Sequence, residues 1–390
     1  MTRRRRRRLV AWSVPAALMV GVAAVGLTPK LMPASASTVP DLPPLTPAQL
    51  LVKAATANVQ TFSGHVTLDA NLGLPDLSAL GDAVSSGSAF DLLTGSHTAS
   101  VAVDGPEHVR VALPATGAEN DWIRNGTDIW AWNSRDQSVT HVTLPADVAA
   151  KADTAATTVP PTPDQLAQQL LADIDPSTVV TVDTPDYIAN RPVYELVLTP
   201  RSANSTVQNA SIAVDAATGM ALDAKITAKG ATSPAVEVKF SDISFDKPAA
   251  STFQFTPPPG ATVTQSSSPA AILGLKGDGP HIRQGRRLNP KVVAPNGTEP
   301  TPPPPTTADN NLPSGTTVVG EAWDTVVISK TVALNGPIGA ILHDAQTITT
   351  PGGPGRLITT SLVNVIALDD GRVAVGAVTP QALAAAIPAS

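Results

Sequence analysis

Between residues 45 and 265 the chain alternates. A helix-start signal, Leu45-Thr46-Pro47-Ala48-Gln49, is followed by about ten short segments in which apolar and polar residues take turns. The series closes on Phe253-Gln254-Phe255-Thr256-Pro257-Pro258-Pro259-Gly260. A period of two puts the apolar side chains of a strand on one face. Tight turns between such segments join antiparallel neighbours. The series therefore specifies one large antiparallel sheet with a single apolar face, which must be buried. A sheet of that width twists and curls. With a helix on its inner side, it forms a hydrophobic trough.

Local signals place the elements. Thr46 reads as an N-cap, with Pro47 at the first helical position and Gln49 completing a capping box. Leu50, Leu51, Ala54 and Val59 make the apolar stripe of a helix over 46–59. A strand follows with Val66, Leu68, Ala70 and Leu72. A hairpin over 100–103 and 108–113 turns at Asp104-Gly105-Pro106. Further strands are expected at 119–124, 128–132, 138–143, 177–183, 192–199, 207–214, 220–228 and 235–243. Asn125-Gly126, Asn133-Ser134-Arg135-Asp136 and the loop from Asp215 to Gly219 supply turns. Thr162-Pro163-Asp164-Gln165 repeats the capping pattern and starts a second helix over 164–174, with stripe Leu166, Leu170 and Ile174.

Choosing the apolar parity in each strand assembles the trough. Its lining is Val66, Leu68, Leu72, Val101, Val111, Trp130, Trp132, Tyr194, Leu196, Leu198, Ile212, Leu222, Ile226, Val238 and Phe240, with Val103, Val109, Val214 and Val236 on the same face. Two short helices are too little to cover this face, so part of it is left as a groove for an apolar ligand. Residues 73–96 interrupt the alternation and carry Leu77, Leu80, Phe90 and Leu92 among Gly, Ser and Asp. They read either as a lid over the groove or as a surface insertion with some packed leucines. Trp130 and Trp132 share a face, and Trp122 lies on the preceding strand. Core packing, cavity lining and a sugar-stacking platform are three readings of them.

The ends set the compartment. Residues 3–8 are consecutive arginines, followed by the apolar run 9–27 and the small-residue site Ala34-Ser35-Ala36. This is an export signal, or an uncleaved anchor with its arginines in the cytoplasm, since 19 apolar residues approach the ~20 that span a bilayer. Either way the rest lies outside the cytoplasm, in the cell envelope. Beyond residue 36 the chain keeps 19 basic residues against 32 acidic ones, a net charge of −13. That balance argues against nucleic acid as a partner. With 38 prolines and few aromatics, the composition fits an exported protein of a high-GC bacterium.

The organisation that follows is a leader over 1–36, a spacer over 37–44, the sheet domain over 45–265, a Pro-rich linker over 266–314 and a small C-terminal α/β domain over 315–390. The linker carries Lys276, Arg283, Arg286, Arg287 and Lys291, either solvated charge or a site of attraction to anionic headgroups. In the last domain, strands are expected over 318–329, 357–368 and 372–378, with a hairpin at Asp369-Asp370-Gly371. A short helix over 338–343 is expected, and Thr379-Pro380 caps a last helix.

No catalytic constellation is present. The chain lacks Cys, a Gly-x-Ser-x-Gly elbow, a phosphate loop and a His-Glu-x-x-His motif. Its six histidines are scattered, without metal-ligand spacing. The expectation is a non-enzymatic binding protein with no cofactor and no metal.

The order of motifs resembles a family. Thr61-Phe62-Ser63-Gly64 after the capped helix is one element, and Asn125-Gly126-Thr127-Asp128-Ile129-Trp130-Ala131-Trp132 is another. Tyr194-Glu195-Leu196-Val197-Leu198-Thr199-Pro200 follows, then Ile212-Ala213-Val214-Asp215 with Thr218-Gly219, and the Phe253-Gln254-Phe255 finish. Over residues 45–265 this is similar to the LolA-like lipoprotein carriers of the LolA/LolB/RseB superfamily, and the insertion at 73–96 looks like that of actinobacterial members. The resemblance implies an incomplete β-barrel with helices as a lid, carrying lipid or lipoprotein acyl chains without catalysis at the outer face of the cytoplasmic membrane. Gly105-Pro106 stands where the carriers place Arg before Pro, so their release mechanism does not transfer. A LolA-like domain with a smaller C-terminal domain also resembles RseB-type regulators. That implies a lipid sensor whose residues 315–390 contact a membrane anti-sigma factor. A cell-wall sugar-binding protein using the Trp strip is the third reading.

Overall fold

The computed structural model describes residues 39–74, 94–115, 117–144, 176–266, 315–330, 342 and 345–389. The expected leader, the lid leucines and Phe90, the helix over 164–174 and the linker cations lie outside the described residues.

The capping box forms as the sequence specifies. The Thr46 N–H donates to Gln49 Oε1 at 2.9 Å, and Gln49 N–H donates to Thr46 Oγ1 at 3.3 Å. Helix α1, Pro47–Ala55, is shorter than the expected 46–59. It stops where the Thr56 hydroxyl bonds back to the Val52 carbonyl at 2.7 Å, and the chain then extends into a strand.

Thirteen strands form one sheet among the described residues. In chain order they are β1 Thr61–Asn71, β2 Thr94–Asp104, β3 His108–Ala115, β4 Ala118–Asn125, β5 Asp128–Asn133, β6 Ser138–Thr143, β7 Thr178–Val182, β8 Asp186–Ile188, β9 Arg191–Pro200, β10 Val207–Asp215, β11 Ala221–Ala228, β12 Val236–Ser244 and β13 Thr262–Ser266. Their spatial order is β13-β6-β5-β4-β3-β2-β1-β12-β11-β10-β9-β7, with β8 paired to β9. The sheet is curled and open: its two edges, β13 and β7, do not meet to close a barrel. One correction concerns β13, which runs parallel to β6 in a sheet expected to be antiparallel throughout. It reaches that edge because residues 245–261 cross the sheet instead of turning back on β12.

This crossing segment is a strap. It carries a 3₁₀ turn, Ala250–Phe253, which packs on β3 and β4. Phe253 is buried beside the His108 ring, with centroids 5.6 Å apart. Phe255 packs on Trp130, which itself stacks on His141 at 3.7 Å. The aromatic finish seen in the sequence is thus the anchor of the strap.

At the β10–β11 turn, buried Asp215 accepts from Arg191 Nε at 2.6 Å and Nη2 at 3.0 Å, and from the Thr218 N–H and hydroxyl at 2.7 Å each. Burial would raise its pKa, but these donors hold it below the usual carboxylate range. Gly219 sits at φ +79°, and a Cβ there would lie 2.5 Å from the Lys53 carbonyl oxygen. The glycine therefore lets the turn close against α1.

The C-terminal residues form a second sheet, β14 Thr316–Val319, β15 Val326–Ser329, β16 Gln346–Thr350, β17 Gly353–Thr359, β18 Asn364–Leu368 and β19 Val373–Gly376, in the order β14-β15-β19-β18-β17-β16. Two expected strands break. The 318–329 stretch is a hairpin interrupted by a 3₁₀ turn, Ala322–Asp324, and the 357–368 stretch bends at 360–363 into β17 and β18. The Thr360 hydroxyl, bonded to the Val363 carbonyl and N–H, fixes that second bend. The Asp369-Asp370-Gly371 hairpin forms between β18 and β19. Helix α2, Pro380–Ala385, is capped by Thr379 as expected, and it packs Leu383 onto Ile366 and Leu357 together with Ile387.

Candidate functional site: the apolar face

Register fixes which side chains share a face, because directly paired residues point the same way. Starting from Val66, the pairings run through Phe240 on β12 and through Ala99, Leu113 and Asn120 across β2–β4. The same face takes in Leu68, Val101, Val103, Val109, Val111 and Val238. Across β9–β11 it holds Tyr194, Leu196, Leu198, Ile212 and Ile226. It is the face on which α1 lies.

Three clusters divide it. Under α1, Leu50 is buried against Tyr194, Leu196 and Val214, with Leu198 and Ile212 beside them. The Tyr194 hydroxyl donates to the Pro43 carbonyl at 2.9 Å, which ties down the chain entering the helix. At the other end, Leu68, Leu72, Val236, Ile226 and Val238 pack against Leu362, Val363, Trp323 and Ala377 of the C-terminal sheet. Between them lie Val66, Ala99 and Val101 with Phe62, Val103, Val111 and Phe240, a cluster built from sheet residues alone among the described residues.

The second cluster is a docking surface between the two sheets. Backbone bonds run from Thr206 N–H to the Ala377 carbonyl at 3.0 Å, from Thr379 N–H to the Asn204 carbonyl at 2.7 Å and from Ser361 N–H to the Leu72 carbonyl at 2.8 Å. Ser205 and Val378 form a β-bridge, and Trp323 Nε1 donates to Thr178 Oγ1 at 2.7 Å. The tail therefore covers part of the face assigned to the groove.

Two of the expected lining residues sit elsewhere. Trp130 pairs with Ile123 and His141, and Trp132 with Asp121 and Val139, all on the opposite face. In Asp128-Ile129-Trp130-Ala131-Trp132 both parities are apolar, so size misled the choice. Ile129, Ala131 and Trp122 take the helix-bearing side instead. Leu222 lies at a register shift between Ala213 and Val214, is fully buried and packs with Val193, Ala213 and Phe240, so it supports the groove from within the core. Phe62 was missed because Phe62-Ser63-Gly64 reads as a turn, yet extending the alternation back from Val66 includes it. The contributions of Leu362, Val363 and Trp323 had no local signal.

Among the described residues, no group of three His, Asp or Glu could hold a metal ion, and no helix is long and apolar enough to cross a membrane.

The fold and the face can now be set against known proteins. Residues 82–265 match the family described as a predicted periplasmic protein, DUF2092. Among solved structures, the chain is similar to the MucA/MucB complex of Pseudomonas aeruginosa, at 14% identity over 88% of this chain and 97% of that one, with a TM-score of 0.35. It is similar to a LolA superfamily protein from Nitrosomonas europaea at 14% identity, over 54% of this chain and 99% of that one, with a TM-score of 0.22. A putative outer membrane lipoprotein-sorting protein domain from Vibrio parahaemolyticus is 9% identical over 51% of this chain and 91% of its own, with a TM-score of 0.20. No curated protein matches the sequence.

Proposed function

We propose that this DUF2092-type envelope protein binds an apolar ligand, lipid or lipoprotein acyl chains, on the middle of its helix-bearing face and carries or presents it without chemistry. The observation that carries the reading is the Val66–Ala99–Val101 cluster. Phe62, Val103, Val111 and Phe240 around it are only half-buried. Neither α1 nor the C-terminal sheet reaches them among the described residues. An apolar strip of this kind, flanked by packed ends, suits an extended hydrocarbon chain. The lining is then Val66, Val101, Val111 and Phe240. Leu68, Leu72, Ile226 and Val238 serve as its tail-side wall, and Tyr194, Leu196, Leu198 and Ile212 as its helix-side wall.

One feature favours a second reading, a lipid-sensing regulator acting on a membrane partner through 315–390. The tail packs directly on the same face, so a ligand on the middle strip would meet Val238, which the tail-side cluster also holds.

The test is native mass spectrometry of protein purified without detergent, followed by lipid extraction. Val111→Arg places a charge in the half-buried strip without touching either docking cluster. A co-purifying species of acyl-chain mass that this change removes is the expected result. A clean apo mass, with no uptake of a fluorescent fatty acid, would overturn the reading.

A further inference from the structure

The face opposite α1 carries a cleft of about 590 Å³. Its lining mixes polar groups, Ser63, His65, Ser100, Arg110, Asp242 and Ser244, with small and apolar ones, Gly64, Val101, Ala102, Ala112 and Ile243, and Thr252 of the strap forms one wall. A register shift between His65 and Val66 sets Asp242 directly opposite His65. A Cβ on Gly64 would lie 2.2 Å from the Asp242 carbonyl oxygen, so the floor must be glycine there.

The register continues beyond the cleft as a row of directly paired residues, Asp242–His65–Ser100–Ala112–Asp121–Trp132, across β12, β1, β2, β3, β4 and β5, with Asp121 buried in its ion pair with Arg110. At the usual strand spacing this row is roughly 24 Å long. It ends on Trp132, which is half-buried. Trp130 is stacked on His141 and packed by Phe255, whereas no ring pairs with Trp132 among the described residues.

Charge decides the ligand class. Each basic side chain already has its own carboxylate: Arg110 pairs with Asp121 at 2.5 Å, and His65 Nδ1 lies 2.8 Å from Asp242. A bare anion gains little from such a site, and an acyl chain would desolvate hydroxyls and charges for no return. What remains unused are short hydrogen-bonding groups. The Ser63 and Ser100 hydroxyls have no partner among the described residues. His65 and Asp242 keep 50% and 61% of their side chains exposed. A neutral ligand dense in hydroxyls matches this inventory, since each group can both donate and accept. An aromatic ring at the end of the row suits the apolar face of a sugar.

We propose that this cleft and the row leading to Trp132 bind a neutral carbohydrate chain, on the side of the sheet away from the acyl-chain face. The two sites lie on opposite faces with Val101 bordering both, and this one stands whether or not the apolar face binds lipid. In the envelope, a glycan site would hold the protein on polysaccharide while its other face stays free.

Isothermal titration of the purified protein with cellotriose, maltotriose and triacetylchitotriose tests the site. At least one is expected to bind with a Kd of about 1 mM or tighter. Ser100→Leu, which fills the floor, and Trp132→Ala, which removes the platform, should each weaken it by at least about fivefold. Neither should change fatty-acid uptake by the opposite face. His65→Gln, at an exposed position, should also weaken binding and serves if Ser100→Leu fails to fold. No heat from any of the three sugars, or binding that Trp132→Ala and His65→Gln leave unchanged, would overturn the proposal.

Discussion

The two halves of the large sheet, on either side of β1, share an apolar front and differ at the back. Behind β3–β6 the cover is the aromatic strap, with Phe253 buried and Phe255 against Trp130. Behind β9–β12 the cover is ionic. Lys225 pairs with Glu195 at 2.8 Å and Lys239 with Glu237 at 3.0 Å. Asp223 sits buried among them, paired in register with Lys239 and with one carboxylate oxygen unpartnered. One sheet thus buries its back in two ways. Apolar cover is insensitive to proton concentration, whereas a ladder of charges is not. The difference teaches that the carboxylates of this sheet whose pKa the fold moves, Asp215 and Asp223, both lie in the ionic half.

The comparison breaks most severely at the strap. Phe253→Ala empties a buried aromatic site and is expected to cost about 3–5 kcal/mol. Denaturant unfolding followed by Trp fluorescence should show the midpoint fall at every pH. A loss under about 1 kcal/mol would mean that the strap is not what covers this half.

In the other half, Asp215→Ala leaves Arg191 without its carboxylate and the β10–β11 turn without its acceptor. Arg191 is partly exposed, so the expected loss is at the lower end for a broken buried pair, about 3 kcal/mol. Since the folded fold holds Asp215 below its unfolded pKa, its contribution is present above about pH 4 and fades as pH falls through the folded value.

Asp223 has the opposite sign. Burial, followed by the neighbouring Glu237 charge, pushes its pKa up to about 7. The folded state therefore holds a proton that the unfolded state releases near pH 4. Its stabilisation is complete below about pH 4, declines as pH rises and is gone above about 7. Asp223→Asn keeps the shape and removes the titration. At pH 8 it should stabilise by roughly 1–2 kcal/mol, and at pH 4 it should change little. Parallel melting curves of the two proteins from pH 4 to 8 would contradict this.

Much of this architecture was legible in the chain. The period of two located the strands, and Thr46-Pro47-Ala48-Gln49 and Thr379-Pro380 located both described helices, because those signals are local. The curled open sheet followed from strand number alone. What stayed hidden depends on pairing over distance. Trp130 and Trp132 could be placed only once β5 was registered against β4, since Ile129 and Ala131 offered an apolar face of their own. The shift at Leu222, the parallel β13 and the seating of Leu362 on Leu68 are likewise long-range events with no short sequence signature. The choice of face therefore agrees with the register in β1, β2 and β12 and departs from it in β5, where both parities of the strand are apolar.

The smallest expected effect sharpens the comparison at the front of the sheet. Thr46→Ala removes the hydroxyl that accepts from the Gln49 N–H and is expected to cost about 1 kcal/mol. Helix α1 is only nine residues long, too short to persist without its cap and its packing. Its buried Leu50 touches Tyr194, Leu196 and Val214, all of the β9–β10 side. The loss should therefore appear as faster amide exchange in α1 and in the front of β9 and β10. Exchange in β3–β5, held from behind by Phe253 and Phe255, should not move. Equal acceleration in both halves would show that the helix and the strap belong to one cooperative unit, and that the two covers differ in chemistry without dividing the sheet.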